Sequence, residues 1–536
     1  MITTIDQTKC TGCGICEEAC PLDAIRLNTI TEDISPCRAY CPAGIDIRTI
    51  MYMLKQGNYQ QAFACLKENN PLPAITGRVC FHPCESNCIR KDIDQALNIN
   101  SIERFLADHF LFEKPGKTYR LHAAKVGVIG SGPAGLSAAY YLVKLGYKVA
   151  VFESMPKIGG MLRYGIPAYR LPKDILDVQV GYFKRHGIKF YTRTSLGSDI
   201  TLDLLMENGY KAICIAIGSQ LSNQISIEGI NSKRVWWGLE FLKDINTSGK
   251  LKPKGQTVVI GGGDVAFDVA LSALRLGSKK VSIVCLESEA ELPAHKEYVQ
   301  QAIDEGIDIR FSWGPRRLDC TGSELNSIEL VRCICVFDKN KVFNPSYDNK
   351  TTTVMKADTV IIAVGQRADT TCLKGIVNLR DDGTIIADPD SLQTSLSNVF
   401  ASGDVASGPS SVVDAIFSGR KAAISIDAYL RGQDPKISAS RKQIGKTPKE
   451  GIVKKSRYST PLLPVGERKN NFKEVKLKFN NCMTMDEAGR CLTCSSQARI
   501  CYPEDCMSCF RCELGCPSNA IYVHPFKEVL PLAIKY

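Results

Sequence analysis

Apolar and polar positions follow two periods along this chain. Residues 126–129 and the run closing on Glu153 are short, almost wholly apolar stretches, as in strands buried on both faces. Between them the apolar residues recur at helical spacing, so the stretch predicts strand, helix, strand. Residues 256–284 repeat that order. Residues 359–365 (TVIIAVG) and 398–404 read as further buried strands, and Ala216-Ile217-Gly218-Ser219 as the end of another. Ile50, Met53, Leu54, Ala62 and Leu66 share one helical face and predict a small helical segment over 45–69. Residues 431–480 lack a period, carry Pro435, Pro448, Pro461 and Pro464, and predict an extended strap.

The strand–helix junctions carry glycines. Gly130, Gly132 and Gly135, with Ser131, Pro133 and Ala134 between them, form G-x-G-x-x-G, and Glu153 follows about twenty residues later. One glycine makes the turn and another lets the backbone approach a pyrophosphate. The helix N-terminus offers unpaired N–H groups, and the acid is placed for ribose hydroxyls. At the second junction Gly261, Gly263 and Ala266 form G-x-G-x-x-A, with Asp264 opening the helix. Two such units predict an α/β chain with two Rossmann-like dinucleotide-binding domains.

At 536 residues the chain is too long for one core and is expected to hold three or four domains. No run of about eighteen apolar residues and no basic-then-apolar leader is evident, so neither a membrane span nor an export signal is expected. The 24 cysteines are the anomaly. In a large chain with dinucleotide folds they point to reduced thiols holding metal, and to the cytoplasm. Net charge is +11, yet residues 431–480 alone hold 14 Lys or Arg against 4 Asp or Glu. No fold or aromatic platform accompanies that basic run, so nucleic-acid binding is not expected. A solvated linker is, with attraction of an acidic electron carrier as an alternative.

Cys10, Cys13, Cys16 and Cys20 stand in C-x-x-C-x-x-C-x-x-x-C-P, and Cys506, Cys509, Cys512 and Cys516 repeat it near the other end. This is the bacterial ferredoxin run, in which the fourth cysteine ligates the other [4Fe–4S] cluster. Structural zinc prefers two separated pairs. Each copy is half of a two-cluster ferredoxin. The expectation is that the chain ends meet, with Cys10, Cys13, Cys16 and Cys516 on one cluster and Cys506, Cys509, Cys512 and Cys20 on the other. Completion of each half against another subunit is the alternative.

Residues 34–112 carry another pattern: Cys37-x-x-x-Cys41-Pro42-Ala43-Gly44-Ile45-Asp46, then Gly77-Arg78-Val79-Cys80-x-x-x-Cys84-x-x-x-Cys88. With the glycine turn that follows, it resembles the small (β) subunit of glutamate synthase. It also resembles the electron-input domains of dihydropyrimidine dehydrogenase and the large subunit of NADH-dependent ferredoxin:NADP oxidoreductase. The resemblance spans roughly residues 34–435. It implies a helical domain with two [4Fe–4S] clusters, the first dinucleotide unit for FAD and the second, inserted in it, for the nicotinamide cofactor. In that family a C-x-x-C pair precedes the Cys-Pro motif. Here residues 29–36 have no thiol, and the matching Glu487-Ala488-Gly489-Arg490-Cys491-Leu492-Thr493-Cys494 lies near the other end. The resemblance therefore implies one cluster on Cys37, Cys88, Cys491 and Cys494. A second would lie on Cys41, Cys80, Cys84 and Glu103, the last an ordinary helix acid on the alternative reading. Four clusters then use fifteen of the cysteines, and most of the other nine are expected to be small core residues in apolar stretches, Cys482 and Cys501 being ambiguous.

For FAD the resemblance adds Gly160, Arg163 and Ile166, on a loop that passes the flavin ring in that family, then Gly403, Asp404 and the helix starting near Val412. The second unit ends in Leu286 and Glu287 where NADP-using relatives place arginines. A carboxylate repels a 2′-phosphate and accepts from a free ribose hydroxyl, so NAD is expected over NADP.

The expected domains are a ferredoxin-type half (1–33), a helical [4Fe–4S] domain (34–115), an FAD domain (116–222 and 359–435) and an inserted NAD domain (223–358). A basic extended linker (436–486) and the C-x-x-C element with the second ferredoxin half (487–536) complete the chain. NADH gives two electrons as hydride and a cluster takes one, so the flavin, which does both, carries the chemistry and no catalytic acid or base is expected. The leading expectation is an electron-transfer subunit of a hetero-oligomeric redox complex. A free-standing NADH:ferredoxin oxidoreductase, a glutamate synthase small subunit and an iron–sulfur redox sensor are alternatives. Direction of flow is open.

Overall fold

The computed structural model describes residues 2–10, 12–22, 24–29, 33–113, 122–322, 324–436, 444 and 452–523. It divides into two compact units, Met1–Leu111 with Ala439–Pro461 and Lys478–Tyr536, and Phe112–Ser438 with Leu462–Leu477. Among the described residues no helix is long and apolar enough to cross a membrane.

In the first unit the two chain ends pair with each other. Strand Ile2–Ile5 runs antiparallel to Ile521–Val523, and Ile25–Asn28 antiparallel to Gln497–Ile500, with Ile25 opposite Ile500. Alternation in the burial of Ile25–Asn28 sets that register: Ile25 and Leu27 point into a core completed by Ala24, Ala498, Ala520, Ile521 and Val523. Gln7 donates to the Ala498 carbonyl at 2.8 Å and Lys9 to the Tyr522 hydroxyl at 2.6 Å, further ties between the termini.

The rest of this unit is helical. Asp46 and Asn98 cap helices Ile47–Lys55 and Ile99–His109 by accepting from the backbone of Thr49 and Ser101. Gly77 lets helix Pro73–Val79 touch Ile99–His109: an added Cβ would stand 2.7 Å from the Arg104 Cα. Helix Asn481–Gly489, capped by Asn480, ends in a buried ionic knot. Arg490, 1% exposed, donates to Glu487 at 2.6 Å and Asp94 at 2.9 Å, and Arg90 grips the same Asp94 at 2.6 Å. Arg90 also donates to the Arg490 carbonyl. Removing one partner of such a buried pair costs about 3–5 kcal/mol, so the knot fixes where the following Cys491 and Cys494 lie.

In the second unit five parallel strands order as Val399–Ala401, Tyr210–Ile215, Lys125–Ile129, Lys148–Glu153 and Lys189–Thr192. Helix Pro133–Lys144 packs on Val412–Leu430, so closely that a Cβ on Gly419 would meet the Ala134 carbonyl oxygen at 2.1 Å. The second parallel sheet orders as Asp308–Arg310, Lys280–Val284, Gln256–Ile260, Thr359–Ile362 and Val235–Trp237.

That order corrects one boundary. Thr359–Ile362, expected to return the chain to the first sheet, instead pairs with Gln256–Ile260 and Val235–Trp237. A strand buried on both faces fits the middle of either sheet, and its sequence does not say which. Gln366–Arg367 then pairs with Leu221–Ser222 in a separate two-stranded sheet, and the chain rejoins the first sheet at Val399–Ala401. The inserted half also holds an antiparallel sheet, Trp313–Thr321, Glu324–Phe337 and Phe343–Lys356, that the periodicity did not announce.

The basic segment differs from the expected extended linker where it is described; residues 437–443 and 445–451 lie outside the described residues. Residues 462–477 pack within the second unit, where Val475 donates to the Tyr169 carbonyl at 3.0 Å and buried Arg468 reaches Glu305 at 3.2 Å. Its other end enters the first unit, with Phe479 buried and Asn481–Gly489 helical.

Candidate functional site

The first glycine turn divides its labour visibly. Gly130 has φ +101°, and a Cβ there would lie 2.3 Å from the Ala216 carbonyl oxygen; one on Gly135 would lie 2.0 Å from the Gly130 oxygen. Both are required by the packing of strand and helix. Gly132 has an ordinary φ of −68°, and an added Cβ would meet no atom within 4 Å. Its missing side chain leaves a cradle at the N-terminus of helix Pro133–Lys144, which is what close approach of a pyrophosphate asks for. The second turn repeats the division. A Cβ on Gly261 would lie 2.2 Å from the Ala363 oxygen, whereas Gly263 opens on space and Ala266 is fully buried. The residues fit dinucleotides at both turns.

Around the first turn, buried Glu153 accepts from the Ser131 N–H at 3.0 Å, from the Ser131 hydroxyl, and from the Met155 N–H at 2.8 Å. It holds the turn in shape. Gly160 lies against the turn, its would-be Cβ 2.7 Å from the Gly132 Cα. Arg163, expected to meet the flavin, is buried and engaged by the Ile158 carbonyl at 2.6 Å and Asp177 at 2.5 Å. Ile166 contributes its carbonyl to Lys173 at 2.5 Å. The position of Lys173, whose ammonium burial pulls down to about 7, was not anticipated. Gly403 (φ +74°) precedes Asp404, whose carboxylate accepts from Ser410 and is pushed up to about 6 by burial. Val412 opens the helix capped by Ser411.

Asp264 bonds the protein: it accepts from the His295 N–H at 2.9 Å and meets the His295 ring at 2.8 Å. The segment carrying Ala294 and His295 thus folds over the second turn, where Ala294 donates to the Gly262 carbonyl. Glu287 does flank that turn: a Cβ on Gly262 would fall 2.6 Å from its Oε2.

Eight of the cysteines gather in fours. Cys10, Cys13, Cys16 and Cys516 line one hollow; Cys20, Cys506, Cys509 and Cys512 line another. Each hollow thus takes its fourth thiol from the opposite end of the chain. Burial pushes the Cys16 thiol up, and Cys13, Cys10 and Cys516 add to it. In the helical part burial likewise raises Cys494, with Cys491, Cys37 and Cys88 adding to it. Cys84 is raised by burial and then by Glu85, Cys41 and Cys80, while Glu103 acts on Cys41 and Cys80. Glu103 itself accepts from Asn70 at 2.8 Å and from the Thr76 hydroxyl, and burial pushes it up to about 7.

Thiols that burial raises resist ionisation unless a cationic centre takes the charge. Among the described residues no three His, Cys, Asp or Glu side chains converge as ligands of one ion must. A cubane binds one ligand at each iron corner, so four thiols lining one hollow suit it. Glu103→Ala is expected to lower iron by about four atoms per chain, one four-iron cluster. Iron and sulfide assay of the purified variant checks this, and an unchanged count would leave Glu103 an ordinary buried acid.

The pyridine nucleotide-disulphide oxidoreductase family model matches residues 124–419. The model of dihydropyrimidine dehydrogenase domain II, a 4Fe–4S cluster domain, matches 30–114, and a 4Fe–4S binding domain matches 3–26. The chain is 35% identical over 498 residues to the beta subunit of NADP(+)-dependent formate dehydrogenase from Moorella thermoacetica, covering 86% of this chain and 70% of that one. It is 31% identical to YgfK of Escherichia coli K12 over 91% of this chain and 45% of that longer one. To the small chain of glutamate synthase [NADPH] of Escherichia coli K12 it is 31% identical, over 74% of this chain and 88% of that one.

Proposed function

Because the chain belongs to the pyridine nucleotide-disulphide oxidoreductase family and carries 4Fe–4S binding domains, as an NAD(P)H-dependent iron–sulfur flavoprotein oxidoreductase, we propose that it is the NADH-linked electron-transfer subunit of a larger redox complex. The observation that carries this reading is the coexistence of two open glycine cradles with two hollows that are each lined by four thiols. One relative is itself named as a beta subunit. FAD, when bound, would supply the exchange between two-electron hydride chemistry and one-electron transfer.

The chain's own residues have three tasks. Gly132 and Gly263 admit the pyrophosphates of FAD and of the nicotinamide cofactor, while Ser131 and Glu153 keep the first turn rigid. The fifteen thiolates and Glu103 hold four clusters, which pass single electrons to or from a partner subunit in the cytoplasm. Glu287 would accept from the free 2′-hydroxyl of NADH and repel a 2′-phosphate. Anaerobic addition of NADH should bleach the flavin absorbance and raise reduced-cluster EPR signals; an unchanged flavin would overturn the reading. Co-purification from the native source distinguishes a complex subunit from a free-standing NADH:ferredoxin oxidoreductase.

Cofactor choice has its own test. The wild-type chain should favour NADH over NADPH by at least about tenfold in kcat/KM. Glu287→Arg should erase that preference, a tenfold ratio being about 1.4 kcal/mol. Equal or better use of NADPH by the wild type would refute the assignment.

A further inference from the structure

Arg48 stands at the second position of helix Ile47–Lys55, and only 1% of it is exposed. A guanidinium so buried normally has its five donors engaged, since an unmet buried donor costs about 1–3 kcal/mol. Arg48 does not. Nη1 donates to the Cys494 carbonyl at 3.3 Å, but Nε and Nη2 have no hydrogen-bond partner. The nearest carboxylate, Asp46, lies 3.6 Å from Nε and already accepts from Arg38 at 2.8 Å and the Thr49 N–H at 3.3 Å. Burial pulls the guanidinium below its usual range, and the groups that oppose this are Asp46, Cys37 and Cys494.

Two of those three are thiols of a single four-cysteine set. Resting on the cluster assignment above, we propose that Arg48 is a positioning residue that donates its free N–H groups to the sulfurs of the cluster on Cys37, Cys88, Cys491 and Cys494, raising that cluster's reduction potential. The electron count is simple. NADH yields NAD⁺, one proton and two electrons, and the cluster takes one electron and no proton. Thiolate-ligated cubanes are anionic in both states and gain one negative charge on reduction. A fixed cation with N–H···S bonds therefore favours the reduced form, and such bonds are a recognised control of cluster potential. The planar fork matters beyond its charge, because lysine cannot direct two donors from one fixed plane.

The test is an EPR-monitored redox titration of the full, cluster-loaded chain with Arg48→Met and Arg48→Lys. In Arg48→Met one cluster's reduced-to-oxidised ratio at fixed potential should fall about tenfold, equivalent to 59 mV for a one-electron couple. Arg48→Lys should fall between it and wild type, and the other clusters should not move. Identical potentials in all three proteins would overturn the proposal. So would loss of one cluster from Arg48→Met with an unshifted potential in Arg48→Lys, which would make Arg48 a folding residue only. Iron and sulfide assay of the wild-type chain separately tests the cluster assignment.

Discussion

Gly132→Ala is expected to leave the apoprotein as stable as the wild type and to abolish flavin retention, whereas Gly130→Ala should damage the fold itself. The two glycines lie two residues apart in one turn, yet meet opposite surroundings. At Gly132 the backbone is already in a conformation alanine adopts, and the new methyl touches nothing. The gain from a stiffer unfolded chain and the small loss at a helix cap nearly cancel, so Tm should move by no more than a degree or two. The methyl would, however, occupy the space where a pyrophosphate must approach the helix N-terminus. Affinity for FAD should fall at least about a hundredfold, roughly 3 kcal/mol. At Gly130, φ +101° and a Cβ only 2.3 Å from a carbonyl oxygen mean that strand or loop must shift. Left-handed strain of about 1–2 kcal/mol and overpacking of about 1–3 kcal/mol add there. Flavin absorbance per chain and thermal melting of the apoproteins separate the cases. Retention of full flavin by Gly132→Ala would show that the cradle is not the pyrophosphate site.

Why those glycines were legible while other features were not follows from the range of the interactions involved. A glycine turn declares itself within thirty residues, since strand, turn, helix and acid are contiguous. The cysteine runs do the same. Thr359–Ile362 had no such local signature: four apolar residues suit the centre of any parallel sheet, and only pairing with residues about a hundred positions earlier assigns it. The antiparallel sheet of the inserted half was missed because few of its positions alternate cleanly in burial. Residues 462–477 read as solvated from composition, yet Arg468 finds Glu305 across 163 residues. Side-chain roles were the least legible. The ties of Arg163 to Asp177 and of Asp264 to His295 join residues that no local pattern pairs. Arg48 gave no signal, because nothing local distinguishes a buried arginine from one in solvent.

Deleting residues 1–30 should remove two clusters, taking iron from about sixteen to about eight atoms per chain. The C-terminal run, read alone, has four cysteines and suggests a self-sufficient site. The hollows contradict that reading: one takes three thiols from the N-terminal run and Cys516, the other three from the C-terminal run and Cys20. The deletion leaves the first with one thiol and the second with three. It also strips Ile521–Val523 and Gln497–Ile500 of strand partners, exposing edges that had been paired. Cys516→Ala should then eliminate the cluster whose other ligands lie about five hundred residues away, while the neighbouring Cys506, Cys509 and Cys512 keep theirs. EPR of the dithionite-reduced variants, with iron and sulfide counts, reads both outcomes. Retention of about twelve irons after the deletion would mean that the C-terminal half closes a cluster without the N-terminus. The exchanged fourth ligand would then have no role in assembly, and the termini would be joined by strand pairing alone.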